Sequence, residues 1–252
     1  MGKYSMKPGF RYVEISDRYG DGVHYHPYVW MGPARDLAVR MRVPHGPDGA
    51  DCGYEPVLSG CLVDAPEQII SDLYDSVQYG ADLSLQTARY ISDPGFLEWV
   101  RPIVMSRNSY SESERGECRN ILDSVERLIG QELIGEKDID GALFRWEKGM
   151  RNSAFGRCSL TRIVSISRRL DTERIADRFI DGVVYHQCLH LRQLNRCKSI
   201  RHDKEFRQLM TLYPDSGMVY SAHSGDYRLI RSPFDPRVVQ PGHLVRPLEE
   251  YL

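Results

Sequence analysis

The chain reads His186-Gln187-Cys188-Leu189-His190 inside the apolar segment that runs from residue 180 to residue 194. The length and apolar character of this segment favour a helix. On a helix, two side chains four positions apart project from the same face. Both imidazoles can therefore reach a single metal ion, and the pattern predicts a helix that carries a metal site.

The residue between the two histidines bears on the chemistry of this site. The five residues match the zinc-peptidase signature His-Glu-x-x-His, except that Gln187 occupies the position of the glutamate. In that signature the glutamate is the general base, which takes a proton from the attacking water. A glutamine carboxamide can hydrogen-bond to water but cannot accept its proton near neutral pH. The sequence therefore predicts a metal site with impaired catalysis.

A zinc site of this type needs a third protein ligand and keeps one position open. Our preferred third ligand is His202, which follows His190 by twelve residues and lies just before a predicted helix. That placement can turn its side chain back towards the first helix. Glu205 and His223 are the alternatives. A histidine pair at this spacing is weak evidence by itself, so the third ligand matters to the prediction.

Strands and helices are predicted around the pair. Residues 142–146 and 162–167 have the alternation of strands, and the second strand places three residues on one face and two on the other. These are Ile163, Ser165 and Ser167 against Val164 and Ile166. Asp171 is expected to cap a helix from about Thr172 to Arg192. A further helix is expected from Asp203 to Leu212, and Pro214 ends it.

The first half of the chain predicts further elements. A hairpin is expected over residues 10–31, where two β-prone stretches flank the turn-forming residues 18–22. Residues 44–49 form a loop by composition. Helical spacing of apolar residues predicts helices at 66–79, 83–91, 96–105 and 121–133. We expect a boundary near residue 106, with an N-terminal α/β region of unknown role and fold at 1–105 and a second domain at 106–252.

Composition limits the class of protein. Apolar residues make up 41% of the chain and charged residues 27%, as in globular proteins that are soluble in water. No apolar run approaches the roughly 18 residues that span a bilayer. The start of the chain lacks the apolar stretch of a secretion signal, and the six cysteines form no Cys-x-x-Cys pair. We therefore expect a cytoplasmic protein with reduced thiols and no membrane association.

Positive charge is concentrated around the histidine motif. Residues 145–210 contain 15 of the 33 Lys and Arg but 7 of the 35 Asp and Glu. One interpretation is an ordinary arginine-rich surface, partly neutralised by acidic residues elsewhere in the chain. The other is a cleft that attracts acidic peptides or nucleic acid.

Other histidines and cysteines have simpler interpretations. His24 and His26 alternate on one strand face, where they are either exposed or metal ligands. Cys188 is expected to pack within its helix, on a different face from the two histidines. Cys197 is expected to lie in a loop, and Cys158 to be structural.

The order of these pieces resembles the SprT-like and YgjP-like zinc metallopeptidases, which have a compact gluzincin-type domain. The resemblance covers about residues 142–215, and residues 1–105 match no family that we can name. The matching pieces are Trp146, Phe155-Gly156-Arg157-Cys158-Ser159, the strand at 163–167, Val183-Val184-Tyr185-His186-Gln187-Cys188-Leu189-His190, His202-Asp203-Lys204-Glu205-Phe206 and Tyr213-Pro214.

This resemblance implies an α+β fold with a small mixed sheet, in which an edge strand precedes the zinc-binding helix. It implies zinc on His186, His190 and His202, with Gln187 at the position of the general base. It also implies that the strand offers its edge to an extended polypeptide, through Ile163, Val164, Ser165, Ile166 and Ser167.

The expected function is that of a zinc-binding pseudo-peptidase that binds polypeptide and cleaves it poorly or not at all. One alternative is an active zinc endopeptidase, in which Glu205 or Asp203 replaces the missing base or the glutamate was replaced experimentally. A second alternative is a nucleic-acid or protein interaction module.

Overall fold

The protein is described from a computed structural model. The structure describes the strands at residues 10–16, 23–29, 40–42 and 55–57, together with residues 59–62, 64–107, 113–148, 150 and 155–214. The contacts between Cα atoms divide the chain into two compact units. The first comprises residues 1–109, 159–161 and 193–200, and the second comprises residues 110–158, 162–192 and 201–252. The proposed domain boundary near residue 106 stays a prediction.

Among the described residues, the first unit contains two antiparallel strand pairs and three α-helices. Its elements are β1 (Phe10–Ser16), β2 (Val23–Val29), β3 (Arg40–Arg42), β4 (Glu55–Val57), α1 (Glu67–Tyr79), α2 (Leu85–Ser92) and α3 (Pro94–Arg107). Strand β1 pairs with β2 from Phe10 opposite Val29 to Ser16 opposite Val23, which confirms the predicted hairpin. The turn at 18–22 and the loop at 44–49 lie outside the described residues.

Local sequence accounts for the helices of the first unit. The side chains of Ile69, Ile70 and Leu73 recur at helical spacing in α1, and all three are fully buried. The helix ends at Gly80, whose φ of 66° is the left-handed conformation that glycine adopts without strain. Helix α2 begins where the Ser84 hydroxyl accepts a hydrogen bond from the Thr87 N–H.

In the part of the chain that the structure describes, the second unit combines a three-stranded sheet with four α-helices. In chain order its elements are α4 (Ile121–Gly130), α5 (Glu136–Ile139), β5 (Leu143–Glu147), β6 (Gly156–Cys158), β7 (Ile163–Ser167), α6 (Asp177–Asn195) and α7 (Lys204–Met210). The sheet has the order β5-β7-β6, with β7 parallel to β5 and antiparallel to β6. The protein is therefore an α+β protein with a small mixed sheet.

The position of β7 corrects the prediction of an edge strand. This strand lies between β5 and β6, and all five of its residues are buried. Its backbone is hydrogen-bonded on both sides, so the residues proposed to pair with a polypeptide, which are Ile163, Val164, Ser165, Ile166 and Ser167, have no free edge to offer. Alternation along a strand predicts its two faces but carries no information about its lateral neighbours. Among the described strands of this sheet, β6 is the edge beside β7.

The core of the second unit lies between one face of the sheet and the helices. Phe144 and Trp146 of β5 and Val164 and Ile166 of β7 pack on this side. The helices contribute Ile121, Val125, Leu128, Phe179, Ile180, Val183, Val184, Tyr185, Cys188, Leu189, Leu191, Phe206 and Met210. This packing holds α6 against the sheet, so the residues of α6 that carry the histidines have fixed positions.

Helix α6 begins at Asp177, and the prediction that Asp171 caps a helix starting near Thr172 is wrong. The Asp171 carboxylate instead accepts hydrogen bonds from the backbone N–H groups of Glu117, Cys118 and Arg119, at 2.5, 3.1 and 3.0 Å. An aspartate can satisfy the free N–H groups of a distant loop as well as those of a helix start. A short-range sequence pattern does not distinguish the two.

Among the described helices, none is both long and apolar enough to cross a membrane.

Candidate metal centre

Helix α6 places His186 and His190 one above the other. Their ring centroids are 5.1 Å apart, and both residues are buried. The helix packs its remaining sides into the core, so the histidines project from the face that looks towards α7. The predicted i, i+4 arrangement of the pair is therefore present in the structure.

His202 reaches the pair from the turn before α7. Helix α7 begins where the Asp203 carboxylate accepts a hydrogen bond from the Phe206 N–H at 2.8 Å. This cap fixes the chain direction just after His202, whose Nε2 lies 3.0 Å from Nε2 of His186. The structure thus brings together the two helix histidines and the residue that we preferred as third ligand.

The three histidines lie close enough to bind one metal ion. One ring nitrogen from each of them lies within 4.8 Å of the other two. Ligands about 2.05 Å from a tetrahedral zinc ion are about 3.3 Å apart, and the 3.0 Å between two of the nitrogens is near that spacing. The residues present therefore fit a site in which three histidines hold one metal ion.

Phe206 supports all three imidazoles. Its ring centroid lies 4.6 Å from that of His190, 4.7 Å from that of His202 and 4.9 Å from that of His186. Phe206 is itself buried. In the sequence it appears only as the final residue of a His-x-x-x-Phe stretch, and its contact with all three rings was not predicted. Packing against a rigid ring restricts the rotamers of the histidines and prepares them for a metal.

The environment of His202 favours the neutral imidazole. The residue as a whole is exposed, but its ring packs against His190 and Phe206. Removal of this ring from water lowers the pKa of His202, and the nearby positive charge of Arg207 lowers it further. A neutral imidazole is the form that binds a metal ion.

Gln187 lies beside the histidines and against strand β6. Its side chain is buried, and a Cβ atom added to Gly156 would lie 3.0 Å from its Nε2 and 3.1 Å from its Cγ. Glycine at residue 156 allows the strand to approach the helix this closely without a shift of the Gln187 side chain. The carboxamide therefore packs against β6, and in the chain it directly follows His186, at the place where the signature has its base.

Of the other candidate ligands and bases, those within the described residues are not part of the cluster. Glu205 is exposed on the first turn of α7 and does not belong to the group of ligand atoms in the described residues. The Asp203 carboxylate caps α7. His223 lies outside the described residues, as do the side chains of His24 and His26.

Two interactions that the sequence did not predict hold the helices of the site. The Tyr185 hydroxyl donates to the Leu209 carbonyl at 2.7 Å, which ties α6 to α7. Arg192 of α6 donates to both carboxylate oxygens of Asp138, at 3.0 and 2.7 Å. Bidentate pairs of this kind fix orientation as well as distance. Their partners are distant in the chain, so no local pattern indicates them.

Three cysteines, Cys158, Cys188 and Cys197, occur in the part of the chain that carries the site, and they differ in burial. Cys188 is fully buried in the core, on a different side of α6 from the histidines, and burial raises the pKa of its thiol far above the usual value. It is therefore an unreactive thiol. Cys158 is half-buried on β6, and Cys197 lies in a turn with a φ of 57°.

Comparisons with models of protein families, with curated proteins and with solved structures find no match for this chain.

Proposed function

We propose that this protein is a zinc-binding relative of the SprT-like metallopeptidases that binds polypeptide and cleaves it poorly or not at all. The observation that carries the proposal is the convergence of three histidine nitrogens, two of them from a helix that carries the buried Gln187 at the position of the general base. Three histidines with an open fourth position match the ligand set of several catalytic zinc sites. A bound zinc ion would supply Lewis-acid polarisation of a carbonyl group.

Gln187 determines how much catalysis is expected. Its carboxamide can orient a polar group through hydrogen bonds, but it cannot hold a proton at neutral pH. General acid–base catalysis typically contributes about 10²- to 10⁴-fold to a rate. Asp203 is engaged as a helix cap, and Glu205 is exposed, so neither resembles a substitute base. We therefore expect slow turnover or none.

Strand β6 supports the binding of an extended polypeptide. Among the described strands it is the sheet edge beside β7, and Gly156 brings it against Gln187. An extended peptide can add to such an edge through backbone hydrogen bonds. In this proposal β6 takes the role that the sequence analysis assigned to the strand at 163–167.

The metal proposal is tested by the metal content of the purified protein, measured by mass spectrometry. We expect about one zinc per chain. His202→Ala should lose most of it, whereas the control His45→Ala, which changes a histidine that was not predicted to be a ligand, should keep it. Absence of metal from zinc-supplied, folded protein would overturn the proposal.

The catalytic proposal is tested by restoring the glutamate. Gln187→Glu should raise the cleavage of a denatured, fluorophore-labelled protein by about 10²- to 10⁴-fold, and a chelator should abolish that gain. Wild-type protein that already cleaves at the rate of the variant would instead indicate an active peptidase with another base. A folded, zinc-loaded Gln187→Glu variant without activity would contradict the relation to peptidases and leave a metal-binding protein.

A further inference from the structure

One face of the sheet carries charged side chains that take no part in the metal centre. Side chains alternate between the two faces of a strand, so Arg145 and Glu147 of β5 project away from Phe144 and Trp146, which enter the core. Cross-strand register aligns Arg145 with Ser165 of β7, and Ser165 with Arg157 of β6. One row across the sheet thus carries two arginines with a serine between them.

The two arginines share one carboxylate oxygen. Nη2 of Arg145 lies 3.2 Å from Oε2 of Glu147, while Nε and Nη2 of Arg157 lie 3.0 and 2.9 Å from the same oxygen. Nε of Arg145 also donates to the Ser165 hydroxyl at 3.0 Å. The group therefore holds two guanidinium charges against one carboxylate charge. One positive charge in this group is not balanced by its carboxylate.

Arg145 carries this charge in a buried position. Its side chain is 1% exposed, and its Nη1 has no hydrogen-bond partner among the described residues. Burial lowers the pKa of Arg145, and the neighbouring charge of Arg157 lowers it further, although Glu147 opposes this. Buried donors in native proteins are nearly always paired, and an unpaired one needs an explanation. A bound anion supplies both a hydrogen-bond acceptor and the missing negative charge.

We propose that Arg145, Arg157 and Ser165 form a binding site for a small oxyanion, a carboxylate or a phosphate group, on the sheet face opposite α6. Guanidinium groups present paired N–H donors that fit two oxygens of such an anion. Arg157, whose side chain is 35% exposed, marks the side from which the anion approaches. Ser165 and Glu147 hold the guanidinium of Arg145 in one orientation. The site is separate from the three histidines.

The test is thermal unfolding and titration calorimetry of the full chain with inorganic phosphate or acetate, at an ionic strength held constant with chloride. We expect a saturable rise in Tm with at least one anion. Arg157→Gln should weaken its binding by at least about tenfold, since a hydrogen bond to a charged group contributes about 1.5–3 kcal/mol. A response to phosphate alone indicates a phosphate ligand, and a response to acetate alone indicates a carboxylate.

Control variants test whether a change in anion binding is specific to the proposed site. Arg127→Gln removes an arginine of similar exposure, 39%, that is also paired with a carboxylate, here that of Asp181, and it should leave anion binding unchanged. His202→Ala should bind the anion like wild type, which excludes binding through a metal. Arg145→Lys keeps the charge but loses the paired donors, and it should weaken binding if it folds. No saturable response in wild type, or an equal response in Arg157→Gln, would overturn the proposal and leave the metal proposal untouched.

Discussion

The side chain of Gln187 differs from a glutamate by one amide group, and this difference separates metal binding from catalysis. In the proposed function, the three histidines and Phe206 provide the arrangement that a metal needs, while the buried carboxamide provides no proton acceptor. Selection for catalysis would act on residue 187, whereas selection for metal binding would act on the histidines. At the scale of residues, the two functions are therefore independent and can be tested one at a time.

The lowered pKa of His202 predicts how zinc affinity depends on pH. The ring is neutral at pH 7.5 and binds without losing a proton, whereas in acid each protonated histidine must lose its proton first. Affinity should fall by up to about tenfold per pH unit for each histidine that becomes protonated, and the fall should begin below the ordinary pKa of about 6.5. Competition titrations with a chromophoric chelator between pH 7.5 and 5.5 measure this.

The lowered pKa of His202 also affects how the stability of the metal-free protein depends on pH. The folded state disfavours protonated His202 relative to the unfolded state, so this residue's contribution to stability is complete above about pH 6.5 and is lost as the pH falls through the lowered pKa. His202→Ala should therefore show a shallower loss of stability in acid. A slope identical to that of wild type would contradict the assignment.

At the scale of elements, two contacts position α6. Strand β6 approaches this helix closely, and the loop before the helix is held by Asp171. Both are contacts between segments far apart in the chain. The strand can lie against the helix because residue 156 has no side chain, and the start of α6 follows a loop that Asp171 ties to residues 117–119. From each contact we predict how one substitution changes the stability of the protein.

Gly156→Ala should disturb Gln187, since the new methyl group would lie 3.0–3.2 Å from three atoms of its side chain. We expect a loss of about 1–3 kcal/mol in the free energy of unfolding, as for other cases of overpacking. Gln187→Ala should remove most of this cost in the double variant, and a thermodynamic cycle from urea denaturation measures the coupling. Gly130→Ala is the control, because an added Cβ there meets no atom within 4 Å, and it should be neutral or stabilising.

Asp171→Asn should destabilise the second unit by about 2–4 kcal/mol. The carboxylate accepts three backbone N–H groups, and an amide offers one oxygen and replaces the other acceptor with a donor. Urea denaturation followed by circular dichroism gives the change. The exposed Asp123 supplies the control, since Asp123→Asn should cost far less. Equal effects of the two substitutions would show that the loop contacts contribute little.

At the scale of the whole molecule, acidic partners neutralise much of the basic segment. Glu147 offsets one of the two charges of Arg145 and Arg157, and residues outside the segment, Glu117 and Asp138, pair with Arg168 and Arg192. This pattern favours the interpretation of an ordinary arginine-rich surface. Nucleic-acid binding remains an untested alternative, which low-salt binding with a steep salt dependence would support.

Metal binding should stabilise the molecule as a whole, because a ligand that binds only the folded state shifts the unfolding equilibrium. Free zinc at 100 times its dissociation constant should contribute about 2.7 kcal/mol. Differential scanning calorimetry should show a higher Tm with zinc and a lower one after treatment with a chelator. In His202→Ala the two values should nearly coincide. A zinc response that persists fully in this variant would place the metal elsewhere.

The sequence by itself determined those features that depend on residues within a turn or two of each other. Spacing of four residues placed His186 and His190 on one face of a helix, the hairpin followed from its two alternating stretches, and Asp203 was recognised as the start of α7. Backbone hydrogen bonds within helices and tight turns join residues that are close in the chain. Short stretches of sequence are therefore enough to predict these elements.

Only the tertiary structure decided which distant segments meet. It placed the strand at 163–167 in the centre of the sheet, sent the Asp171 carboxylate to a loop more than fifty residues earlier in the chain, and brought Phe206 under all three imidazoles. The physical reason is that packing selects among many pairings of equal local quality. Lateral strand order and long-range hydrogen bonds depend on the burial of the whole core, which no single stretch of sequence specifies.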